Sequence, residues 1–383
     1  MENQVKFYGR GGEFFGIWIV NILLTIVTLG IYSAWAKVRT KKYFYGNTEL
    51  GSDRFDYHAT PMQILIGRII AAVCLAIWVI GTEFVPMLAI GLIVILALAS
   101  PLLIRNNTRF DARVTSYRNV RFDFVGTLKG AYGVFLGWPI LAYGVLVLAI
   151  LLISVVAGSS ALAGVIMGVL TFGLGFVIYA WIASQIATYF INGYRYGDRK
   201  FSGTVELSAY IKTYLLAGLL GAGLSLIMLI VVGMFIGVST FTALSSPDLL
   251  AQQASVGGIV GMVVTGYASM FLIFFVVMGF VQARIRNYLF SRIVIEGEPE
   301  YGFVSRMTAG GLISLMLTNF LMTIVTLGIA RPWVMVRNAN YVADTTAVTG
   351  DLDQLAVEGN EVVGDSAIAD EIANAFDLNI GLG

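Results

Sequence analysis

Cysteine and histidine are almost absent from this 383-residue sequence, which contains one of each, Cys74 and His58. A single cysteine forms no disulfide within the chain, and one residue of each kind is too few for a Cys/His metal cluster. We therefore expect no metal site and no cofactor. A nucleophile, a base and an orienting group at recognisable spacing are also missing, so we expect no catalytic residues and no enzymatic activity.

Charged residues are scarce as well, at 12% of the chain, where soluble domains carry about 25%. Hydrophobic residues make up 58%, and the mean hydropathy is +0.83. Six apolar stretches are long enough to cross about 30 Å of hydrocarbon as helices. They are residues 62–81, 84–104, 131–158, 161–189, 210–244 and 254–281. The sequence thus predicts a polytopic α-helical membrane protein with six full transmembrane helices.

Lysine and arginine are missing from three connections, near Glu83, Ser159 and Asp248, whereas all the other connections are basic. The positive-inside rule places the basic loops in the cytoplasm and groups the spans into three hairpins, 62–104, 131–189 and 210–281. Because the basic residues follow this topology, we expect no nucleic-acid partner. Carboxylates are absent from the interior of the six stretches, which disfavours an ion-coupled carrier.

One element occurs twice, near the two ends of the chain. Residues 21–43 and 319–341 are identical at thirteen of 23 aligned positions, including polar ones. We predict a shared structural or pathway-lining role for the repeated residues. They are Asn21, Thr25, Thr28, Gly30, Trp35 and Arg39 in the first copy, and Asn319, Thr323, Thr326, Gly328, Trp333 and Arg337 in the second.

Both flanks of each copy are basic, so a simple span would leave one basic flank on the wrong side. A re-entrant or interfacial element avoids this conflict by returning to the face from which it started. The chain would turn near Thr28 to Gly30 and Thr326 to Gly328, where glycine tolerates the turn and threonine hydroxyls satisfy the freed backbone groups. Two further full spans are the alternative. The first interpretation places both termini in the cytoplasm.

Short runs with alternating aromatic residues precede several membrane segments. Examples are Arg54-Phe-Asp-Tyr57, Arg121-Phe-Asp-Phe124 and Lys200-Phe201. Alternation with a period of two predicts strands, and isolated strand pairs are marginal in water, so we expect these runs to form one small cytoplasmic β domain. Its segments would lie within 1–13, 44–60, 107–127, 194–208, 291–306 and 341–349. The alternative is that the aromatic residues only anchor helix ends at the interface.

The C-terminal segment differs in composition from the membrane domain, residues 1–343. Nine of the 23 acidic residues lie from Asp344 onward, where lysine and arginine are absent. Such a segment is typical of a solvated, flexible tail, here 344–383. A short amphipathic helix at 366–378 is a further prediction.

Three motifs resemble the YjgN-like bacterial inner-membrane proteins. They are GRGGEFFGIW at 9–18, TLGIYSAWAKVR at 28–39 and GSDRFDY at 51–57. The resemblance covers most of residues 1–343 and implies a multi-pass protein of the bacterial inner membrane. The family has no assigned catalytic residues, so the resemblance implies no chemistry.

The sequence favours a conduit or carrier for a lipid, an amphiphile or an uncharged solute, with membrane lipids as partners. The alternative is a scaffold or regulatory protein that does not transport and recruits a partner through its β domain and acidic tail. The sequence leaves open a protein partner or a homo-oligomer.

Overall fold

The computed structural model describes residues 1–84, 86–244 and 256–355. Within them, eleven α-helices are numbered in chain order. They are α1 Gly11–Val27, α2 Ser33–Gly46, α3 Pro61–Phe84, α4 Pro86–Arg113, α5 Leu128–Tyr132, α6 Trp138–Ser159, α7 Ala161–Ile191, α8 Leu207–Leu244, α9 Val256–Phe290, α10 Ala309–Val325 and α11 Arg331–Asp344. A π-helical turn, Gly133–Gly137, joins α5 to α6, and a 3₁₀ turn, Leu352–Gln354, follows the last strand.

Six of these helices are long and apolar enough to cross a membrane: α3, α4, α6 extended through α5, α7, α8 and α9. They coincide with the six stretches predicted from the sequence, so the prediction of a polytopic helical membrane protein is confirmed. The two shorter apolar helices of the repeated element, α1 and α10, have 17 residues each. At about 1.5 Å per residue such a helix is about 25 Å long, short of the hydrocarbon thickness.

Ten strands form one closed, fully antiparallel barrel. They are β1 Glu2–Phe7, β2 Thr48–Leu50, β3 Asp53–Tyr57, β4 Thr115–Tyr117, β5 Val120–Phe124, β6 Tyr194–Tyr196, β7 Arg199–Ser202, β8 Val294–Ile295, β9 Tyr301–Ser305 and β10 Thr346–Thr349. The order around the barrel follows the chain, and β10 pairs with β1 to close it. The aromatic runs noted in the sequence, on β3, β5 and β7, thus belong to one barrel although they are far apart in the chain. Each of these strands pairs with a shorter strand on either side.

The barrel is built from five modules, each a strand, a pair of helices and a returning strand. The two strands of every module pair with each other, for example β3 with β4 around α3 and α4. At the opposite end of the strands, two-residue turns join the first four modules and the longer loop 296–300 joins the last two. In one of these turns Arg118 and Asn119 have φ of 48° and 62°, as a two-residue type I′ hairpin turn requires.

A threonine starts the helix that follows several strands. The hydroxyl of Thr127 accepts a hydrogen bond from the Gly130 amide, and Thr308 does the same for Gly311. Thr60 and Gln63 form a capping box before α3, with Pro61 in its first turn. These side chains satisfy amides that a helix start leaves unpaired. Each one therefore ends a strand and directs the chain into a helix.

The repeated element forms a helix, a tight turn and a second helix. In the first copy the amide of Gly30 bonds to the Thr25 carbonyl and that of Leu29 to the Ile26 carbonyl, as in a Schellman motif. Gly328 and Leu327 make the equivalent bonds in the second copy. The strands that flank each copy, β1 with β2 and β9 with β10, are paired, so the chain returns to the end of the barrel that it left.

The described residues divide into two compact units. The first contains Met1–Tyr210, Asn287–Arg306 and the described residues from Ile329, and it includes the whole barrel. The second contains Ile211–Arg286 and Met307–Gly328. In the second unit α9 packs against α10, where the rings of Phe275 and Phe320 are 5.0 Å apart and Gly279 lies against Ile313.

Candidate functional site: the interior of the barrel

The interior of the barrel is lined by aromatic side chains in two layers. Phe55, Phe122, Phe201 and Phe303 occupy the middle of their strands and pack against the buried cluster of the barrel. Nearer the turns lie Leu50, Tyr117, Tyr196, Ile295 and Tyr301, all of them buried. The aromatic residues therefore face the interior of the barrel, and the interpretation that they only anchor helix ends does not describe these positions.

The tyrosine hydroxyls of the turn-side layer are already used by the protein. Tyr117 donates to the Leu50 carbonyl at 2.7 Å, and Tyr196 donates to the Tyr117 carbonyl at 2.8 Å. Tyr301 donates to the Asp351 carbonyl at 2.7 Å. Burial raises the pKa of Tyr117 and of Tyr196, so both remain neutral at physiological pH. This end of the interior therefore presents carbon surface.

A cavity of about 480 Å³ occupies the barrel interior. Small-molecule sites typically measure about 300–1,000 Å³. Barrels of about eight strands are just filled by side chains or hold one small ligand, and the diameter grows with strand number. Ten short strands thus leave an apolar space that their own side chains do not fill.

Polar groups line the cavity at the end where the chain passes between strands and helices. Tyr45, Asp111, Thr115, Tyr194 and Thr346 lie there. The threonine hydroxyls donate to helix carbonyls, Thr115 to Asp111 and Thr346 to Val342. Burial, together with the nearby Asp111 and Tyr45, raises the pKa of Tyr194, so its hydroxyl is a neutral donor. The two ends of the cavity thus differ in chemistry.

The turn end of the cavity is covered by the segment Gly350–Leu355. Leu352 is 5% exposed and packs with the turn-side layer, and both Leu352 and Leu355 line the cavity. The segment is held through its main chain: Tyr301 bonds to the Asp351 carbonyl and Arg118 to the Leu352 carbonyl. Arg118 is itself fixed by Asp53, 2.5 Å away. We call residues 350–355 the cap.

The acidic segment therefore contributes to the barrel at its start. The sequence analysis assigned 341–349 to a β segment and 344–383 to a flexible tail, and these two ranges overlap. In the structure Thr346–Thr349 form β10 and the cap follows directly. The reason is that two apolar positions, Val348 and Leu352, are buried in the barrel. The amphipathic helix predicted at 366–378 lies outside the described residues.

The repeated residues specify the turn of their element. Thr25 and Thr28 donate to the carbonyls four residues earlier, and Thr323 and Thr326 do the same in the second copy. Gly30 and Gly328 have φ of 94° and 88°. Asn21 and Asn319 are both buried. The role of these residues as pathway lining stays a prediction.

The tryptophans and arginines of the repeat have local contacts in the first unit. Arg39 donates to the Asn21 side chain at 3.4 Å and to the Tyr32 hydroxyl at 3.1 Å. Trp35 packs against a buried cluster beside the barrel. Trp333 lies over Gly11 and contacts the ring of Phe15, and Arg337 belongs to α11. The repeat and the cavity are distinct parts of the molecule, since none of these residues lines the cavity.

The sequence analysis did not predict the cavity, although a spacing in the sequence marks its walls. Leu50, Tyr117 and Tyr196 each precede a phenylalanine by five residues, with a basic residue directly before that phenylalanine. In the structure the five-residue spacing spans a tight turn, and the residues at its two ends both face the interior of the barrel. The basic residues, Arg54, Arg121 and Lys200, are exposed on the strands. No comparable sequence signal marks the cap.

Six apolar helices and a barrel formed by the segments between them define a polytopic helical membrane protein with a β-barrel built from its connections. The chain belongs to the family described as bacterial protein of unknown function (DUF898), which matches residues 2–375.

Curated relatives named "Inner membrane protein YjgN" match over nearly the whole chain. The protein from Salmonella typhimurium is 28% identical over 373 residues, which cover 94% of this chain and 92% of the relative. The one from Escherichia coli O157:H7 is 25% identical over 371 residues, with the same coverage. The predicted family and the location in the bacterial inner membrane are thus confirmed. No solved structure matches the chain.

Proposed function

We propose that this inner membrane protein is a carrier or conduit for a lipid or amphiphile and binds its apolar chain inside the barrel. The observation that carries the proposal is the cavity of about 480 Å³ walled by phenylalanine, tyrosine, leucine and isoleucine. Apolar surface gains about 25 cal/mol per Å² when it leaves water. An apolar cavity in a membrane protein is therefore suited to a hydrocarbon chain.

The charge distribution supports a cytoplasmic position for the barrel. Its strands carry exposed basic residues such as Arg54, Arg121 and Lys200, and basic segments stay in the cytoplasm during insertion. With the barrel on that side, each pair of helices would enter the membrane and return as a hairpin. The barrel would then offer a water-shielded apolar site next to the inner leaflet.

The turn of the repeated element supports a re-entrant position in the membrane. In the first copy the amides of Thr28, Leu29, Gly30 and Ile31 bond to carbonyls of the element, and the Tyr32 amide bonds to the Thr28 hydroxyl at 2.9 Å. A turn with satisfied amides can lie in hydrocarbon. The leucine at the tip of the turn is exposed in both copies, Leu29 at 94% in the first and Leu327 at 92% in the second.

The test measures whether the protein still binds lipid when a larger side chain fills part of the cavity. Val348 is buried inside the barrel, so Val348→Trp should occupy part of the cavity. Val304 on the neighbouring strand lines a different groove, on the outer surface, and Val304→Trp is the matched control. Each protein would be purified in mild detergent and analysed by native mass spectrometry for bound lipid, then titrated with a fluorescent fatty acid.

We expect the wild type and Val304→Trp to bind and Val348→Trp to bind at least about tenfold more weakly. Transfer of a fluorescent phospholipid between vesicles should fall in parallel. Equal binding by both variants would locate the ligand elsewhere. A wild type that neither retains lipid nor binds the fatty acid would contradict the proposal and favour the scaffold.

A further inference from the structure

Two features of the cavity determine how a ligand can lie in it. Its turn end is closed by the cap and contains tyrosine hydroxyls that already donate to main-chain carbonyls. Its helix end is lined by Tyr45 and Tyr194, each of which carries a phenolic hydroxyl. Within the described ranges, neither of these two hydroxyls makes a hydrogen bond to the protein.

We propose that the barrel binds a single-chain amphiphile tail-first, with the end of the hydrocarbon chain against Leu352 and the polar group beside Tyr45 and Tyr194. This inference rests on the proposed function and adds the class of ligand and its orientation. A sugar or a nucleotide would lose its hydrogen bonds to water at the turn end, where a buried polar group without a partner is costly. An alkyl chain has no such bonds to lose.

The polar end of the ligand should accept hydrogen bonds. Both Tyr45 and Tyr194 can donate a phenolic proton, and burial raises the pKa of Tyr194, which keeps that proton in place at neutral pH. Asp111 lines the same end. A fatty acid, a monoacylglycerol or a lysophospholipid carries suitable acceptor oxygens next to one chain. A fatty acid is the simplest probe of this class.

Leu352 should then set the longest chain that fits. Its side chain closes the cavity, whereas the cap is held by the carbonyls of Asp351 and Leu352. Removing the leucine side chain therefore leaves the bonds that hold the cap in place. Each additional buried methylene contributes about 0.8 kcal/mol, or roughly fourfold in affinity. Chain-length preference is thus a direct readout of the position of the chain end.

The experiment measures Kd for decanoic, dodecanoic, tetradecanoic, hexadecanoic and octadecanoic acid on the full-length protein in detergent. In the wild type, affinity should rise with chain length up to a limit. In Leu352→Ala this limit should lie at a chain about two methylenes longer. Leu352→Met, which conserves volume, is the control for folding and should leave the preference unchanged. The double variant Tyr45→Phe, Tyr194→Phe should weaken all the acids by about five- to tenfold without changing the preferred length.

An unchanged length preference in Leu352→Ala, with binding intact, would overturn the orientation and leave the proposed function standing. A shift of the preferred chain length in the tyrosine variant would show that the chain end lies beside the tyrosines, which is the opposite of the proposed orientation. If Leu352→Ala does not fold, Leu355→Ala removes a second side chain from the same end of the cavity and should give a shift in the same direction. No binding of any acid to the wild type would contradict both proposals.

Discussion

Replacing Leu29 by asparagine should destabilise the protein in a bilayer, although asparagine suits the local backbone better. Leu29 has φ of 52°, and the left-handed region costs most residues roughly 1–2 kcal/mol, with asparagine among the exceptions. In water the substitution should therefore stabilise the turn by about 1 kcal/mol. The sign of the effect depends on what surrounds the turn.

Hydrocarbon around the turn would reverse this sign. Leu29 is 94% exposed, so in a re-entrant element it would contact lipid and not protein. Transfer of a leucine side chain from water to an apolar environment is favourable by about 1.5–3 kcal/mol. An amide group without a partner in hydrocarbon costs about 4–8 kcal/mol. The lost transfer of the leucine side chain and the cost of the unpaired amide together exceed the relief of backbone strain. We therefore expect Leu29→Asn to lower the free energy of unfolding by at least about 2 kcal/mol.

Thermal unfolding in lipid nanodiscs, followed by tryptophan fluorescence, measures the effect. Leu29→Asn should lower Tm and Leu29→Gly should lower it less, while Leu327→Asn in the second copy should act in the same direction. The control is Asn119→Leu, at a left-handed position in a barrel turn with φ of 62°, which should lower Tm by strain alone. A higher Tm for Leu29→Asn in the bilayer would show that the turn lies in water and refute the re-entrant element.

Three further outcomes follow from local contacts. Thr28→Val should destabilise the protein by about 1–3 kcal/mol, because the Tyr32 amide loses its acceptor, and Thr28→Ser should restore most of the loss in the same assay. Gly193→Ala should cost about 1–3 kcal/mol in thermal unfolding, since the added Cβ would lie 2.2 Å from the ring of Phe124. Burial raises the pKa of Tyr196 in the folded state, so the stability it contributes should be lost as pH rises above about 10. In denaturant titrations repeated across that pH range, the free energy of unfolding should fall less steeply with pH for Tyr196→Phe than for the wild type.

The membrane helices and the longer strands could be predicted from the sequence because their signals are local. Hydropathy alone marks α3, α4 and α6 to α9, and alternating aromatic residues mark β3 and β5. The intervening strands β2, β4 and β6 have three residues each, too few for a periodic pattern. Their partners in the barrel define them, and those partners lie elsewhere in the chain.

The candidate site was much harder to predict for the same reason. Phe55 and Phe201 were recognised as strand residues, but their meeting around one space depends on how ten strands close. Leu352 lies in an acidic segment whose composition is typical of a tail, and a single leucine there gives no local signal of burial. The repeated element was conspicuous because its turn requires particular residues, such as Gly30 with φ of 94°.

Closure between β10 and β1 has a consequence for biogenesis. β10 follows every other strand in the chain, so all the membrane helices are translated before the ring of strands can close. Until then β1 and β9 have unpaired edges, and edges of this kind invite aggregation or pairing with another chain. A nascent chain halted before residue 346 would leave the aromatic residues of the barrel interior exposed to solvent, so β10 and the cap are needed to complete the barrel.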